Sequence, residues 1–305
     1  MALLIRRAII IANPASRRGN RLAQGALRMI LNRSIECDLV FTQHPGHATE
    51  LALHHAPQYD AVFALGGDGT VMEVAGAMAG SLTPVGVLAG GTGNLLARAL
   101  GIPLSLRRAV PALLAGDELA IDLGRLDSGR RFAIAAGVGV DATMVAETPR
   151  WLKRRLGVVA YTIIGTQAAM RAVIRDELFD ARVTVDGTVY EHRTAAIMVA
   201  NFGEVLGRRI TLGPEIRTND GLLDTCVFSP RTMWDALQIT WSMLRGDFRT
   251  NPCMCYYRGR TIHLETSPPR QWQADGELMG MTPFSVTVEP RAVRLLVPAR
   301  RSGST

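Results

Sequence analysis

Three glycine-rich stretches in the first third of the chain have residue types that suit phosphate binding. They read NPASRRGN (residues 13–20), GGDGT (66–70) and GGTGN (90–94), and each stands between an apolar run and a helical pattern. Backbone N–H groups at a helix start attract phosphate oxygens, and glycine lets the backbone approach a bulky anion because it lacks a Cβ. Thr70 and Thr92 add hydroxyl donors. Together the stretches predict a phosphate-binding site.

Carboxylates at two places in the sequence could act beside bound phosphate. Asp68 stands among the glycines of GGDGT and suits Mg²⁺, which binds through one or two carboxylates plus substrate phosphates. The segment ADGE holds two further carboxylates, Asp275 and Glu277. If this segment is extended, the two carboxylates face the same way, whereas Gly276 could instead make it a turn. The sequence does not choose between the two carboxylates.

Two common classes of nucleotide site are excluded by the same stretches. A Walker-type P-loop needs a lysine after its second glycine, and the only lysine of the chain, Lys153, lies outside any such loop. No G-x-G-x-x-G follows the first apolar run, so a dinucleotide fingerprint is also missing. Backbone, arginine or metal must therefore neutralise the phosphates.

The elements that position these residues are predicted to form two domains. Residues 1–122 alternate short β-like runs with helical patterns, which indicates a layered α/β domain with a largely parallel sheet and its ligand at the carboxyl ends of the strands. Residues 123–300 are rich in β-like runs, which predicts a sandwich, with helical segments near 158–178 and 232–245. The tail 301–305 is expected to be disordered.

Composition and charge limit the partners. A net charge of +7 on 305 residues suits anionic ligands or an anionic membrane surface, whereas the few aromatics among the arginines do not favour nucleic acid. The longest uncharged stretch, residues 74–97, contains Gly, Pro, Thr and Asn throughout, and so does not predict a membrane span. The basic run of residues 150–155 is interpreted as a solvated face, with lipid headgroup contact as the alternative. Trp234 and Trp241, seven residues apart, are predicted to be core.

The motifs, taken in order, resemble a known family. GGDGTVMEV and GGTGNLLARALGIP closely resemble the catalytic domain shared by diacylglycerol kinases, sphingosine and ceramide kinases and the bacterial soluble lipid kinases. NPAS is similar to that family's NPxSG, and TQHPGHATELA, KRRLGVVAYT, TNDGLLD and ADGE match its other motifs in order. The resemblance covers nearly the whole chain. It implies a nucleotide domain like those of NAD kinase and diacylglycerol kinase, followed by a β-rich acceptor domain.

The resemblance also implies ligands and site residues. It implies ATP and Mg²⁺, with a proton acceptor in the DGE motif that holds Asp275 and Glu277. It implies a second, structural magnesium ion held by the Asp220 carboxylate and the carbonyls of Arg217 and Leu222, and it places Asp68 in the magnesium network of the nucleotide. Without the family, Asp220-Gly221 is a plain turn signal. The residues that the resemblance assigns to the ATP site are Asn13, Pro14, Ser16, Arg17, Thr42, Gly66, Gly67, Asp68, Gly69, Thr70, Val71, Met72, Glu73, Gly91, Thr92, Gly93 and Asn94.

Three departures from the family pattern concern this site. Arg17 replaces a glycine, Met72 replaces an asparagine, and Leu95 replaces the aspartate that many diacylglycerol kinases carry there. Loss of that carboxylate bears on the magnesium network and on the identity of the acceptor, while the phosphate-binding loops are retained.

The expected function is therefore an ATP- and Mg²⁺-dependent lipid kinase with a diacylglycerol or sphingoid-type acceptor. The expected location is cytoplasmic and peripheral to an anionic membrane surface, with no nucleic acid partner and with a homodimer left open. Two alternatives remain: a kinase for a soluble acceptor such as NAD, and a non-catalytic nucleotide-binding regulatory module. Phosphorylation of NAD without lipid would favour the first, and ATP binding without turnover would favour the second.

Overall fold

The computed structural model describes residues 4–15, 19–139, 166–205, 210–213, 215–247 and 251–299. The chain divides into two compact units, of which the first contains Met1–Ile121 with Arg291–Thr305 and the second contains Asp122–Pro290. The sequence-based division gave residues 123–300 to the second domain as a whole, whereas the contacts return the chain to the first unit from Arg291 onward. The predicted tail 301–305, Ser16, Arg17 and the basic run lie outside the described residues.

The first unit has alternating strands and helices. The strands are β1 (Arg7–Ala12), β2 (Glu36–Phe41), β3 (Ala61–Gly66) and β4 (Val85–Ala89). The helices are α1 (Gly19–Leu31), α2 (His47–His55), α3 (Asp68–Ala77), α4 (Leu95–Ala99) and α5 (Leu106–Leu114), and a 3₁₀ turn covers Ala56–Gln58.

The four strands are parallel and lie in the order β2-β1-β3-β4. Every residue of β3 is buried, as expected for a parallel strand covered on both faces. Helix α1 contacts α5 and helix α2 contacts α3, so the helices form two layers around the sheet. The predicted layered α/β domain is confirmed.

The second unit is rich in β-strands. Strand β5 (Asp117–Leu126) leads into it and β18 (Phe284–Val297) leads out. Between them lie β6 (Arg131–Phe132), β7 (Ala135–Gly139), β8 (Phe179–Val185), β9 (Thr188–Thr194), β10 (Ala196–Ala200), β11 (Glu204–Val205), β12 (Ile210–Thr211), β13 (Leu223–Phe228), β14 (Met254–Gly259), β15 (Thr261–Ser267), β16 (Gln271–Ala274) and β17 (Glu277–Met281). The described part of this unit contains helices α6 (residues 166–174) and α7 (Met233–Arg245).

Two antiparallel layers of the second unit share one apolar core. One layer has the order β14-β13-β10-β7-β16-β17, and the other contains β18, β15, β8 and β9. Alternate residues of these strands supply the core, for example Val183 and Leu264 from one layer with Ile197 and Val227 from the other. This arrangement confirms the predicted sandwich.

Helix α7 corrects one prediction about the core. Trp234 and Trp241 were predicted to be buried, but 66% and 57% of their surfaces are exposed. Ala236 and Ile239 form the buried side of the helix instead. The seven-residue spacing puts the two tryptophans on one face, and that face points to solvent. Among the described residues, no helix has both the length and the apolar character needed to cross a bilayer.

Candidate active site

The carboxyl edge of the parallel sheet brings together residues that are far apart in sequence. Strand β2 lies on one side of β1, and β3 lies on the other. The strand order therefore reverses between β1 and β3, and open α/β sheets bind ligands at such a topological switch point. The Asn13 amide donates to the Leu65 carbonyl (3.0 Å), and Asn13 Nδ2 donates to Thr70 Oγ1 (3.1 Å). The Thr42 amide donates to the Ala12 carbonyl (2.9 Å). The NPAS, TQHPGHA and GGDGT segments therefore meet at one edge.

The Asp68 carboxylate connects GGDGT to GGTGN. Its Oδ2 accepts a hydrogen bond from the Asn94 amide (2.9 Å), and its Oδ1 accepts one from the Leu95 amide. Asn94 itself has the left-handed φ of 49°, and its side chain bonds to both the amide and the carbonyl of Gly91 (3.0 and 2.9 Å). Asp68 and Asn94 thus fix the position of the second loop. A carboxylate is also a ligand type that Mg²⁺ binds together with substrate phosphates.

Close packing between the two loops explains three of their six glycines. A Cβ on Gly91 would lie 2.6 Å from the Cα of Gly67, and one on Gly90 would lie 3.1 Å from the Cα of Gly66. A Cβ on Gly93 would lie 2.5 Å from Asp68 Oδ2. Gly67 is different, since the nearest atom to its Cβ position is 3.8 Å away. The loops therefore need Gly90, Gly91 and Gly93 in order to approach each other, whereas a Cβ on Gly67 would make only an ordinary van der Waals contact.

Helix α3 presents its amino terminus at this edge. The amides of the first turn of any α-helix have no intrahelical partner, and the N-cap of α3, Gly67, has no side chain with which to cap them. Such amides attract phosphate oxygens. Val71 is buried and Met72 half-buried, so the Val71 side chain supports the helix rather than facing a ligand.

Glu73 has a structural task in the described contacts. Its two carboxylate oxygens accept hydrogen bonds from the amides of Gly46 (3.0 Å) and Ala48 (3.1 Å) at the start of α2. The Thr49 hydroxyl donates to the Glu73 carbonyl (3.2 Å). Glu73 thereby holds the segment that carries Thr42 against α3.

Arg98 is a cation that the sequence interpretation did not select. Its Nε donates to the Gly93 carbonyl at 2.9 Å, which places a guanidinium beside the GGTGN loop. Thr92 and Gly91 are exposed at the same loop, and Pro14 is exposed after Asn13. The signal was present in the sequence, because Arg98 follows Asn94 by one helical turn. Arg98 provides positive charge next to the GGTGN loop, whose composition suits phosphate.

In the second unit, the DGE segment is a tight hairpin turn. Asp275 and Gly276 have φ values of 47° and 84° between β16 and β17, as a two-residue turn of this kind requires. The Asp275 carboxylate accepts hydrogen bonds from the amides of Ala133 (2.7 Å), Ile134 (2.9 Å) and Ala135 (3.1 Å). The extended alternative, with both carboxylates on one face, is therefore wrong. Asp275 joins the hairpin to residues 133–135.

Glu277 has different surroundings. Its side chain is 47% exposed, and its Oε2 lies 2.7 Å from Nη2 of Arg130, another residue that the sequence interpretation did not select. No backbone amide among the described contacts binds its carboxylate, so Glu277 is the more accessible of the two carboxylates. An exposed ion pair of this kind contributes little to stability and leaves the carboxylate accessible.

The turn that carries Asp220 is connected to the same region of the second unit. Asp122 is fully buried, its Oδ2 accepts from the Gly221 amide (2.7 Å), and its amide donates to the Thr218 carbonyl (2.7 Å). Asn201 is also fully buried and donates to the carbonyls of Asp122 and Ala133 (2.7 and 2.8 Å). Buried polar groups need such partners. Asp122 in β5 and Asn201 directly after β10 thus link the Asp220 turn to the segment that Asp275 holds.

The donor chemistry near Asp220 fits a hard cation. Asp220 Oδ1 accepts from the Leu222 amide (3.1 Å), and the turn also contains Arg217 and its carbonyl. Nearby, the buried Oδ2 of Asp224 has no hydrogen-bond partner among the described residues. Burial first, and also the charge of Asp220, raise the pKa of Asp224, although Arg258 donates to its other oxygen (2.9 Å). Mg²⁺ binds oxygen ligands. This region offers the Asp220 carboxylate, backbone carbonyls and the Asp224 oxygen that has no hydrogen-bond partner among the described residues.

Comparison with known proteins identifies both halves of the chain. A model of the diacylglycerol kinase catalytic domain matches residues 7–126, and a model of the YegS C-terminal NAD kinase beta sandwich-like domain matches residues 133–297. A diacylglycerol kinase of Bacillus subtilis is 27% identical over 306 residues, covering 98% of each chain. An uncharacterised Synechocystis protein is 32% identical over 245 residues, but the matched part is only 55% of that longer protein and 79% of this chain.

The fold agrees with the same class. The crystal structure of a diacylglycerol kinase from Bacillus anthracis superimposes with a TM-score of 0.73 at 19% identity, covering 96% of this chain and 97% of that one. The match to the diacylglycerol kinase catalytic domain identifies the protein as a kinase. The chain belongs to the bacterial diacylglycerol-kinase-like family.

Proposed function

We propose that the protein transfers the γ-phosphate of ATP to the hydroxyl of a lipid, either diacylglycerol or a sphingoid-type alcohol, with Mg²⁺ as cofactor. The proposal adds the acceptor, the metal and the residue roles to the kinase class. Its lipid acceptor is supported by relatives that are named diacylglycerol kinases and that match 96–98% of this chain.

One observation carries the nucleotide part of the proposal. Asn13, Thr42, GGDGT and GGTGN meet at one edge of one sheet, and the Asp68 carboxylate ties the two glycine loops together. We assign the phosphates of ATP to the amides at the start of α3, with Thr92 and Arg98 as further donors. The predicted contacts from Ser16 and Arg17 belong to the same proposal and lie outside the described residues.

Glu277 is the proposed base, and Asp275 is a positioning residue. The three backbone amides on Asp275 occupy its oxygens, whereas the carboxylate of Glu277 is exposed. Glu277 accepts the proton of the attacking hydroxyl as the oxygen–phosphorus bond forms. The bond between the γ-phosphorus and the bridging oxygen breaks, and ADP leaves with that electron pair.

The proposed metal ligands are oxygen atoms already described. Asp68 would hold the ion that accompanies ATP, and Asp220 with the carbonyls of Arg217 and Leu222 would hold a structural ion. When bound, Mg²⁺ neutralises phosphate charge at the first position. Binding at the second, structural site can be measured without turnover, because an ion that binds only the folded state raises the thermal midpoint. Asp220→Asn should remove the part of that rise that Mg²⁺ gives to the wild type.

The acceptor sets the expected location. A lipid hydroxyl is reached at a bilayer surface, so we place the protein in the cytoplasm and peripheral to the membrane, where its net charge of +7 favours anionic lipid.

The proposal is tested by incubating the purified protein with γ-labelled ATP, Mg²⁺ and micelles of diacylglycerol, sphingosine, ceramide or monoacylglycerol, with Asp68→Ala as the control. A labelled lipid that is absent with Asp68→Ala supports the proposal and identifies the acceptor. Labelled NAD in a parallel reaction without lipid, or ATP binding without any labelled product, would overturn it.

A further inference from the structure

One face of helix α7 is apolar and exposed along its whole length. Counting from Trp234, apolar residues recur at positions three, seven and ten, which is the spacing of one helical face. The exposed fractions are 48% for Met233, 66% for Trp234, 41% for Leu237, 57% for Trp241 and 42% for Leu244. We call these five residues the tryptophan face. Large apolar side chains that are exposed together mark an interaction site more often than single ones do.

The helix is well fixed, so this exposure does not come from a loose end. Thr232 and Asp235 form a capping box at its start, and Gly246 ends it with a left-handed φ of 67°. On the opposite side, Ala236 and Ile239 are buried, and Thr240 Oγ1 lies 2.8 Å from Thr166 Oγ1 of α6. The tryptophan face is therefore held outward by a helix whose other side is packed.

The ends of α7 carry two arginines and two aspartates, of which Asp247 follows Arg245 by two residues. Arg231 precedes the helix, and the Arg245 guanidinium lies 4.4 Å from the ring centre of Trp241 at its end. Asp235 is the only acidic residue of the helix, and its carboxylate accepts from the amides of Arg231 and Thr232 (2.9 and 2.8 Å). Gln238 lies on the exposed side and is uncharged.

We infer that the tryptophan face docks on a bilayer that contains anionic lipid. Tryptophan prefers the interface between headgroups and acyl chains, and an amphipathic helix with flanking arginines lies in that interface. The net charge of +7 adds attraction to an anionic surface. A second copy of the chain fits less well, because five residues of one helix are far fewer than the roughly 20–30 per partner that a stable dimer uses. The inference rests on the proposed function only for the idea that the acceptor lies in the same bilayer.

The test is sedimentation with vesicles of phosphatidylglycerol and phosphatidylcholine, without ATP. We expect Trp234→Ala/Trp241→Ala to lower the binding of the full chain by about tenfold or more. The matched control is Leu53→Ala/Leu82→Ala, which removes apolar side chains of similar exposure (61% and 74%) from the first unit. The control should bind as the wild type does, and binding of the wild type should weaken in high salt or on phosphatidylcholine alone.

A second measurement covers the case in which the alanine variant fails to fold. Lipid with brominated acyl chains should quench the fluorescence of the wild type, and Trp234→Phe/Trp241→Phe should lose most of that quenching. Equal binding by the tryptophan and leucine variants, or unchanged quenching in the phenylalanine variant, would overturn the inference. A further result would also overturn it: the wild type is a dimer in light scattering, the tryptophan variants are monomers, and these variants bind vesicles as the wild type does.

This design separates the inference from the proposed function. If the wild type binds vesicles through the tryptophan face but labels no lipid, the surface stands and the acceptor is wrong. If the tryptophan variants phosphorylate a water-dispersed short-chain diacylglycerol normally and also bind vesicles normally, the acceptor stands and the surface is wrong.

Discussion

Asp68 accepts the backbone amide hydrogen of Asn94 at 2.9 Å, across 26 positions of sequence. One side chain thus fixes how two glycine loops meet, and its other oxygen accepts from the next amide, that of Leu95. A carboxylate with two amide partners positions backbone as well as any metal that it binds.

Replacement of Asp68 is expected to disturb the loop as well as the chemistry. Asp68→Ala removes both hydrogen bonds to α4, so turnover should fall by about 10²-fold or more because the phosphate-binding groups are misplaced. The thermal midpoint should fall as well, since the partly buried amides of Asn94 and Leu95 lose their acceptor. Turnover with labelled ATP and a thermal scan check the two effects, and unchanged turnover in a folded variant would contradict the assigned role.

The packing of the loops predicts a clash at Gly91. Gly91→Ala places a Cβ 2.6 Å from the Cα of Gly67, and a backbone atom cannot rotate away. We expect a loss of about 1–3 kcal/mol in the free energy of unfolding and weaker ATP binding. Gly25→Ala in α1 is the control, since its Cβ would meet nothing within 4 Å and alanine favours helix. Equal stability of the two variants in urea would show that the loops do not pack as described.

The accessible carboxylate predicts a selective loss of turnover. Glu277→Gln should lower kcat by about 10² to 10⁴-fold because it removes the proposed base, with ATP affinity unchanged. Glu191→Gln is the matched control, because Glu191 also forms an exposed pair with an arginine, Arg182, at 3.1 Å. Kinetics and ATP titration separate the two parameters. Full activity of Glu277→Gln would remove this residue from the mechanism.

For Asp275 we expect the opposite result, in which a substitution lowers stability and leaves the turnover of the folded protein unchanged. In Asp275→Asn one oxygen becomes an NH₂ group that faces the amide donors of residues 133–135. An unmet buried hydrogen bond of this kind costs about 1–3 kcal/mol, so the thermal midpoint should fall. Activity should be lost in proportion to unfolding and should return on cooling. Loss of kcat at an unchanged midpoint would instead make Asp275 the base.

The turn at Asp186 predicts a pH-dependent contribution to stability. Backbone hydrogen bonds from Thr261 and Arg260 hold the pKa of Asp186 below its ordinary value of 3.8. Because the folded pKa is the lower one, this stabilisation is complete above the unfolded value and is lost as the pH falls through the folded pKa. Asp186→Asn should therefore lower the midpoint at neutral pH, and the gap should close in acid. Asparagine tolerates the φ of 47°, and a gap that is constant with pH would contradict the account.

The meeting of the loops was predictable because parallel strands bring their carboxyl ends to one edge. The alternation of β-like and helical runs was enough to predict that Asn13 and Asp68 lie at the same edge, and the layered fold is confirmed. The nucleotide contacts themselves stay a prediction.

Other features depend on which way a side chain points, and the spacing of residues in the sequence does not determine this. The interval from Trp234 to Trp241 defines a helical face but not the side on which the core lies, and here the core takes Ala236 and Ile239. Asp275 and Glu277 were two residues apart, and only the positive φ values of the turn separate their tasks. Arg98 and Arg130 were missed because their roles arise from contacts with Gly93 and Glu277.

The pairing of Leu295 and Leu296 with Val85 and Gly86 has a consequence for synthesis. The strand that borders β4 is encoded almost 200 residues after it. A ribosome therefore releases the residues of the nucleotide unit long before it releases the strand that closes its edge. Until β18 is synthesised, β4 offers an unpaired edge to other chains. A nascent fragment that stops at the end of the catalytic-domain match, residue 126, is expected to need a chaperone, whereas the full chain covers its own edge.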